Sequence, residues 1–227
     1  MRFTTGTFLL AGLLTTVSAH FQLQFPAPRG VFVEDQEPTF CDGYTNAVSN
    51  RTTFPTSKGI ISLNSEHPKW TLGGIVATVQ NPDNFTQFRD SSGNFQQFLP
   101  FFQTTGEGAF CINIDLASSG VSGVKDGANV TLQLIFDGGD GQLYQCADLT
   151  LSDNATIPSS VTCKNATDSV ATPVSTSVAT MATSPSSSGT SSASGSSPSS
   201  TGNSAVAKAA IGVSSLAGLV AAIAALL

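Results

Sequence analysis

The segment FQLQF, Phe21–Phe25, alternates apolar and polar residues at every position. A period of two is typical of a half-buried β-strand and places the three phenylalanine and leucine side chains on one face. The segment Val130–Phe136 follows the same pattern. Its inward-facing residues are predicted to be Val130, Leu132, Leu134 and Phe136. These two segments indicate that the folded part of the chain is built from strands.

Further strands are predicted at 60–63, 74–79, 110–116 and 143–151, between Gly-Gly, Asp-Gly and Asn-Pro pairs that favour turns. No segment has a convincing helical stripe, although Phe85–Phe88 fits one helical turn. Many short strands with few helices predict an all-β, antiparallel β-sandwich. A cluster of four phenylalanines is interpreted mainly as core, with the lining of a pocket as the alternative: Phe95, Phe98, Phe101 and Phe102.

The first nineteen residues are typical of a secretory signal peptide. They contain Arg2, an apolar run over 8–14 and the small residues Val17-Ser18-Ala19. Cleavage after Ala19 would make His20 the first residue of the mature protein. We therefore expect a secreted chain whose folded domain begins at His20.

The C-terminal part has two segments of unusual composition. Residues 166–203 are mostly Ser, Thr, Ala, Gly and Pro, which predicts a disordered stalk after a folded domain over 20–165. Residues 204–227 end in an uncharged apolar tail behind small residues, which is typical of a glycosylphosphatidylinositol (GPI) anchor signal attached at Asn203. A single membrane span is the alternative. We expect the mature protein on the outer face of the plasma membrane, with the cell wall as the alternative.

The charge and the cysteines narrow the function classes. Fifteen acidic residues against nine basic ones argue against nucleic acid, and against docking on anionic lipid, as a partner. The four cysteines of a secreted chain predict two disulfides, with three possible pairings among Cys41, Cys111, Cys146 and Cys163. Glycosylation sequons stand at Asn50, Asn84, Asn129, Asn154 and Asn165, and each predicts a surface position.

The two histidines are the candidate metal ligands. His20 as an N-terminal residue would offer its α-amino group and its imidazole to one ion. His67 is followed by Pro68, which biases it toward extended backbone and therefore toward a loop or a strand end. Three nitrogens suit copper(II) in tetragonal geometry. This pattern predicts one Cu2+ per chain.

Four stretches carry a family resemblance: HFQLQFPAPRG from His20, EPTFC from Glu37, NSEHP from Asn64 and GDGQLYQCAD from Gly139. Together they resemble fungal cell-surface proteins similar to lytic polysaccharide monooxygenases, including copper acquisition factors. The resemblance implies an immunoglobulin-like or fibronectin-like sandwich. It also implies a histidine brace, in which the N-terminal amine, His20 and His67 bind one copper.

The same resemblance implies that an aspartate completes the site where oxidative relatives present a tyrosine. Asp140, in a Gly-rich turn, is the first choice, and shaping that turn is its competing role. Asp137 and Asp115 are the reserves. Tyr144 resembles the tyrosine of the oxidative enzymes but lies two residues before Cys146 rather than three, which reverses its face on a strand. Tyr144 is therefore interpreted as structural.

Three functions remain open at this point. The first is non-catalytic copper binding for acquisition or homeostasis, with membrane copper transporters or wall glycans as further partners. The second is a copper-dependent polysaccharide monooxygenase, and the third is a structural wall glycoprotein. Trp70 is the sole tryptophan and offers little of the aromatic surface that would grip a glycan. We therefore expect copper binding without turnover.

Overall fold

The computed structural model describes residues 20–162, 164–166 and 169–175. They belong to the first of two compact units, Met1–Ser187, while the second unit, Ser188–Leu227, lies outside the described residues. The predicted signal peptide, the stalk beyond residue 175, Asn203 and the anchor signal also lie outside them. In the part of the chain that is described, no helix is long and apolar enough to cross a membrane.

Strands and short 3₁₀ turns make up the regular structure of the described residues, and the all-β prediction is confirmed. In chain order the strands are β1 (Phe21–Phe25), β2 (Thr52–Pro55), β3 (Gly59–Ser65), β4 (Lys69–Ala77), β5 (Gln97–Thr105), β6 (Gly108–Ile114), β7 (Asn129–Asp137), β8 (Gln142–Ser152) and β9 (Thr172–Pro173). The 3₁₀ turns are Glu34–Gln36, Phe40–Gly43, Phe85–Phe88 and Ala117–Ser119. The helical turn predicted at Phe85–Phe88 is confirmed.

The strands form two sheets. The smaller sheet has the order β1-β3-β6, and the larger has the order β2-β8-β7-β4-β5-β9. All pairs are antiparallel except β2, which lies parallel to β8 at the edge of the larger sheet. The expected antiparallel sandwich therefore holds for eight of the nine strands, and β2 departs from it.

The main core lies between the two sheets. β7 contributes its alternating residues, as the sequence predicted: Val130, Leu132, Leu134 and Phe136 all belong to this core. From the smaller sheet, Phe21, Leu23, Ile61 and Leu63 pack against them. Burial of each such side chain stabilises the fold by about 1.5–3 kcal/mol.

A second, smaller cluster covers the outer face of the larger sheet. It contains Ile75, Phe101, Ile135 and Tyr144, with the turn residue Phe88 packed on top. β7 and β8 are therefore buried on both faces in this region. This double burial hides their polar residues and makes β8 a central element of the fold.

Sequence patterns did not reveal β2, β5 and β9. In β5 the neighbours Phe98 and Leu99 both join the main core, because the pairing of β4 with β5 shifts register near Gly74. That shift removes the alternation by which a strand is recognised. β9 lies beyond residue 165, where we expected the folded domain to end, and pairs with β5 at Phe102.

Candidate metal centre

β1 and β3 bring the two histidine-bearing segments to one end of the sandwich. In their antiparallel register Phe21 pairs with Ser65. The carbonyl of His20 accepts a hydrogen bond of 2.9 Å from the backbone N–H of Glu66. His67 is the next residue along the chain and begins the connection to β4. Strand pairing thereby brings segments that lie 47 positions apart in the chain to the same end of the smaller sheet.

The turn between β7 and β8 lies against His67. Asp140 places Oδ1 3.2 Å from Nε2 of His67, and its side chain is 46% exposed. A Cβ added to Gly138 would lie 1.9 Å from Cδ2 and Nε2 of His67, so the imidazole rests directly on this glycine. The turn therefore supplies a carboxylate partner for His67 and a flat surface that sets the position of its ring.

An aromatic stack supports both histidine segments from the core side. The ring of Phe136 stacks on Phe21 at 4.8 Å and on Trp70 at 5.3 Å between centroids. His67 lies over the same Phe136 ring at 6.0 Å. Since Phe21 directly follows His20, Phe136 contacts both segments. Its burial couples their positions to the packing of the core.

His20 is held by two carboxylates. It is only 7% exposed, and its Nδ1 lies 2.8 Å from Oε2 of the buried Glu37. Its Nε2 lies 3.0 Å from Oε1 of Glu34, yet the alignment makes no hydrogen bond and this buried nitrogen has none. In the uncut chain the backbone nitrogen of His20 is still an amide to Ala19. The ring is therefore oriented, with one buried nitrogen unsatisfied.

The protonation of this pair follows from its burial. Burial by itself lowers the pKa of His20, but the hydrogen bond with Glu37 and the negative charges of Glu37 and Glu34 outweigh it and leave that pKa raised. Burial raises the pKa of Glu37 to about 7, against the hydrogen bonds it accepts from His20, Phe21 and Gln145. Both shifts point the same way. Together the two side chains hold on to protons more strongly than either would in water.

Glu37 is the centre of a buried network that links the two sheets. Besides His20, it accepts hydrogen bonds from the N–H of Phe21 at 3.2 Å and from Nε2 of Gln145 at 3.0 Å. Gln145 also donates to the carbonyl of Phe21 at 2.6 Å and accepts from the N–H of Leu23 at 2.8 Å. The side-chain amide of Gln145 thus makes the two hydrogen bonds to the backbone of β1 that the backbone of an adjacent strand would otherwise make.

Sequence reasoning missed Glu37 and Gln145 as site residues. Their only signal was their place in two of the stretches that carry the family resemblance. A carboxylate in a loop between proline and glutamine is normally exposed, and no local pattern marks this one as buried. The burial comes from β1 and β8, which lie 16 and more than 100 residues away.

A disulfide fastens the Glu37 loop to β8. Cys41 pairs with Cys146, and their Cα atoms are 4.9 Å apart. This bond resolves the pairing left open by the sequence for those two cysteines. Cys111 is also disulfide-bonded, and Cys163 lies outside the described residues. The Cys41–Cys146 bond lies four residues from Glu37 on one side and directly follows Gln145 on the other. It therefore holds Glu37 and Gln145 close to each other beside His20.

The other candidate ligands lie elsewhere. Asp137 accepts a 2.7 Å hydrogen bond from the N–H of Gly139 and shapes the turn that carries Asp140. Asp115 follows the end of β6 that pairs with Gly59, at the opposite end of the smaller sheet from Ser65. Tyr144 is 1% exposed in the outer cluster, 4.9 Å from the ring of Phe85, and burial raises its pKa to about 12.

Tyr144 therefore points away from the histidines, as its spacing before Cys146 implied. Leu143, its neighbour, joins the main core together with Phe136, while Tyr144 belongs to the outer cluster. The face reversal derived from the spacing is what the strand shows. Tyr144 contributes to packing on the outer face of the larger sheet.

The described surface near this end offers no aromatic platform. Among the described residues no Phe, Tyr or Trp is classed as exposed, and Trp70 is 1% exposed. The exposed large apolar side chains of these residues are all valines: Val31, Val33, Val79 and Val170. The rings in this part of the chain are buried or half-buried, and the half-buried Phe32 lies beside His20 at 5.8 Å between centroids.

The sequons differ in accessibility. The side chains of Asn50, Asn84, Asn154 and Asn165 are exposed, as a glycosylation site requires. Asn129 is half-buried, and its amide bonds Gln80 and Thr150. Four of the five predicted positions are therefore open to modification, and Asn129 is the least accessible.

As a whole, the structure gathers the predicted donors at one end without closing them around a common point. No group of three or more His, Cys, Asp or Glu side chains within residues 20–162, 164–166 and 169–175 is arranged to hold a metal ion. Two separate pairs are present, His20 with Glu37 and His67 with Asp140. Imidazole nitrogens and carboxylate oxygens are donors that copper(II) accepts.

A family model and two related proteins all identify the same family. The model of the BIM1-like copper acquisition factor domain matches residues 18–168. A copper acquisition factor BIM1 of Cryptococcus neoformans var. grubii is 41% identical over 72% of this chain and 74% of its own length. The protein of the same name from Cryptococcus neoformans var. neoformans is 42% identical over 66% of this chain and 68% of its own length.

A more distant relative has a different name. A lytic polysaccharide monooxygenase-like protein of Yarrowia lipolytica is 27% identical over 75% of this chain and 63% of its own length. The region matched by the family model, residues 18–168, contains both histidines and strands β1 to β8.

Proposed function

The chain belongs to the BIM1-like family of copper acquisition factors, and from this premise we propose that its mature form binds one copper(II) ion as cargo. The ligands in this proposal are the α-amino group and imidazole of His20, the imidazole of His67 and the carboxylate of Asp140. The observation that carries the proposal is the hydrogen bond between Glu66 and the carbonyl of His20, which joins the proposed first residue of the mature chain to the segment that carries His67.

Cleavage after Ala19 is the step that would complete the donor set. It converts an amide nitrogen, whose lone pair is delocalised into the carbonyl group and which binds copper(II) only after losing its proton, into an amine with an available lone pair. The amine and Nδ1 of one residue can close a six-membered chelate ring, which an internal histidine cannot form. Signal-peptide removal then acts as the switch between a chain with two histidine–carboxylate pairs and a chain with a chelating N-terminus.

Glu37 orients the His20 ring in the uncut chain, and in this proposal its contact with Nδ1 has to break before copper binds there. It holds Nδ1 of His20 at 2.8 Å while the neighbouring N–H of Phe21 and amide of Gln145 keep the carboxylate in place. Coordination through Nδ1 requires that the proton shared by His20 and Glu37 leaves. Since the pKa of His20 is raised, proton competition extends to higher pH than for a free histidine, and copper binding weakens as the solution becomes acidic.

Asp140 would set the charge preference of the site. A carboxylate favours the doubly charged copper(II) over copper(I), because its negative charge stabilises the higher charge more. Its side chain is 46% exposed, so an incoming ion can reach it from solvent. A site that keeps the bound ion as copper(II) suits a protein that collects copper and passes it on.

Copper binding without turnover is the function we favour over polysaccharide oxidation. An oxidative enzyme acting on a glycan needs a surface that grips the chain, and the described residues present no exposed aromatic side chain. The 27% identity to a lytic polysaccharide monooxygenase-like protein supports the second candidate. Oxidised oligosaccharides released from cellulose, chitin or β-glucan with reductant and peroxide would favour that alternative.

The cell-surface location completes the proposal. A signal peptide ending at Ala19 and a GPI anchor at Asn203 would hold the domain outside the plasma membrane on a glycosylated stalk. A membrane copper transporter is the partner we propose as the acceptor, with wall glycans as a second contact. The anchor keeps the captured ion near the cell that collected it.

The decisive experiment compares the mature protein with a variant that retains one extra residue, Ala19, before His20. N-terminal sequencing first establishes that each sample starts where intended. We expect the extended variant to lose copper(II) affinity by more than about 100-fold in calorimetry, because even indirect partners of metal ligands contribute 10- to 100-fold. Equal affinity of the two samples, with the same copper spin-resonance spectrum, would exclude the amine of His20 as a ligand.

A further inference from the structure

A cavity of about 420 Å³ lies away from the histidines, on the side of the sandwich where β5 and β6 meet the segment after β8. Its apolar lining includes Trp70, Phe102, Phe110 and Ile112, and Pro173 of β9 bounds it. Polar groups stand among these residues: Thr104, Asn113 and Ser169. Its volume is within the range of small-molecule sites, and its lining is mostly apolar with a few polar groups.

Asn165 lines the same cavity and is a sequon residue, in Asn165-Ala166-Thr167. Its Oδ1 accepts a 2.7 Å hydrogen bond from the N–H of Cys111, so the orientation of the amide is defined. Ala166 packs against Gly106, where a Cβ would lie 3.2 Å from that of Ala166. The side chain is exposed, and its Nδ2 makes no hydrogen bond to a described residue.

We propose that Asn165 carries an N-linked glycan whose first N-acetylglucosamine occupies this cavity. On modification, Nδ2 forms a bond to C1 of the sugar and loses one proton, while the lipid-linked donor leaves as its diphosphate. Oδ1 remains free to accept from Cys111. The attachment point is at the cavity itself, so the first sugar cannot be far from it.

The chemistry of the cavity matches an amphipathic ring. A hexosamine has a face of C–H bonds that packs on Phe102 and Ile112, and hydroxyl and acetamido groups that bond Thr104 and Asn113. Since the sugar is tethered, it loses little translational freedom on docking. The occupied cavity would cover the side of the core formed by Trp70 and Phe110.

The other sequons do not share this setting. Asn154 heads the identical tripeptide Asn-Ala-Thr and is exposed, yet it is not among the residues that line this cavity. A glycan there would extend into solvent. The pair of matching tripeptides therefore provides a control in which the same modification is present without a cavity.

The test uses the full chain expressed in a yeast, purified free of copper. Thr167→Val removes the sequon and leaves Asn165 and its hydrogen bond in place, Thr167→Ser preserves the sequon, and Thr156→Val removes the control sequon at Asn154. We expect Thr167→Val to lower the melting temperature by about 2–4 °C. Thr167→Ser and Thr156→Val should each stay within about 1 °C of the unmodified sequence, since surface changes have small effects.

A second readout reports from the cavity. Trp70 is the only tryptophan, and its Nε1–H donates to the carbonyl of Gly106, so one indole N–H resonance monitors this site. It should shift in Thr167→Val and not in Thr156→Val. Trimming with an endoglycosidase that leaves one N-acetylglucosamine should leave both the resonance and the melting temperature unchanged.

Three results would overturn the proposal. Mass spectrometry could find Asn165 unmodified in the unaltered chain. Thr167→Val could match Thr156→Val in both measurements. Trimming to one sugar could have the full effect of Thr167→Val, in which case the outer sugars and not the first one stabilise the domain.

Discussion

The two histidines differ in how the fold holds them. His20 directly precedes β1, is 7% exposed and is oriented by Glu37 within a buried network that spans both sheets. His67 lies between strands, rests on Gly138 and meets the exposed Asp140. One half of the candidate centre is set by buried hydrogen bonds, and the other by packing and an accessible carboxylate. The segment that holds His20 therefore fixes one imidazole rigidly, while the segment that holds His67 leaves a carboxylate open to an ion arriving from solvent.

If that division is correct, removing His67 should affect binding far more than folding. We expect His67→Ala to weaken copper(II) affinity by more than about 100-fold, since a direct ligand contributes more than the 10- to 100-fold of an indirect partner. Calorimetry and electron spin resonance measure the loss of binding and of the nitrogen-rich copper spectrum.

The matched control for His67→Ala is Asp115→Ala, at the opposite end of the smaller sheet. It should keep the affinity and the spectrum of the unaltered protein. Retention of tight binding by His67→Ala would remove this histidine from the site.

A substitution in the buried network around Glu37 should affect the stability of the fold more than a substitution at His67 does. Glu37→Gln replaces an acceptor of three hydrogen bonds by an amide whose NH₂ group faces donors, and each unsatisfied buried group costs about 1–3 kcal/mol. We expect a loss of several degrees in melting temperature, on the order of 2–4 °C for each kcal/mol. Thermal unfolding of the copper-free protein gives this number directly.

Asp140→Asn is the corresponding change on the exposed half. Its carboxylate is 46% exposed, and we expect its melting temperature to stay within about 1 °C of the unaltered protein. Should the two substitutions destabilise the protein equally, the contrast between a buried half and an accessible half would be wrong.

The smallest effect concerns the surface beneath His67. In Gly138→Ala the added Cβ falls 1.9 Å from the imidazole, so the ring has to move. We expect copper affinity to fall by about 10-fold, which is the lower end for residues that position a ligand. Gly139→Ala is a stringent control, because its φ of +104° strains the backbone of the same turn while its Cβ meets nothing within 4 Å.

Gly139→Ala should therefore lower stability and leave copper affinity unchanged. The reverse outcome, with affinity lost in Gly139→Ala and kept in Gly138→Ala, would show that the shape of the turn matters and contact with the ring does not.

Prediction from the sequence succeeded where the signal is local and periodic. Alternation at Phe21–Phe25 and Val130–Phe136 located β1 and β7 with the correct inward faces, and the two-residue spacing of Tyr144 from Cys146 indicated its outward face. The broken alternation of β5 hid that strand. Glu37 could not be recognised, because its burial depends on partners far away along the chain.

The sequence by itself determined that this chain folds into strands and that His20 and His67 are its only candidate imidazole ligands, because periodicity and composition are properties of the residues themselves. Only the tertiary structure decided that Cys41 joins Cys146, and that a buried carboxylate orients His20. Both depend on contacts between the loop over 37–41 and β8, more than 100 residues away in the chain, and such contacts are made by the packing of the whole fold rather than by any single segment.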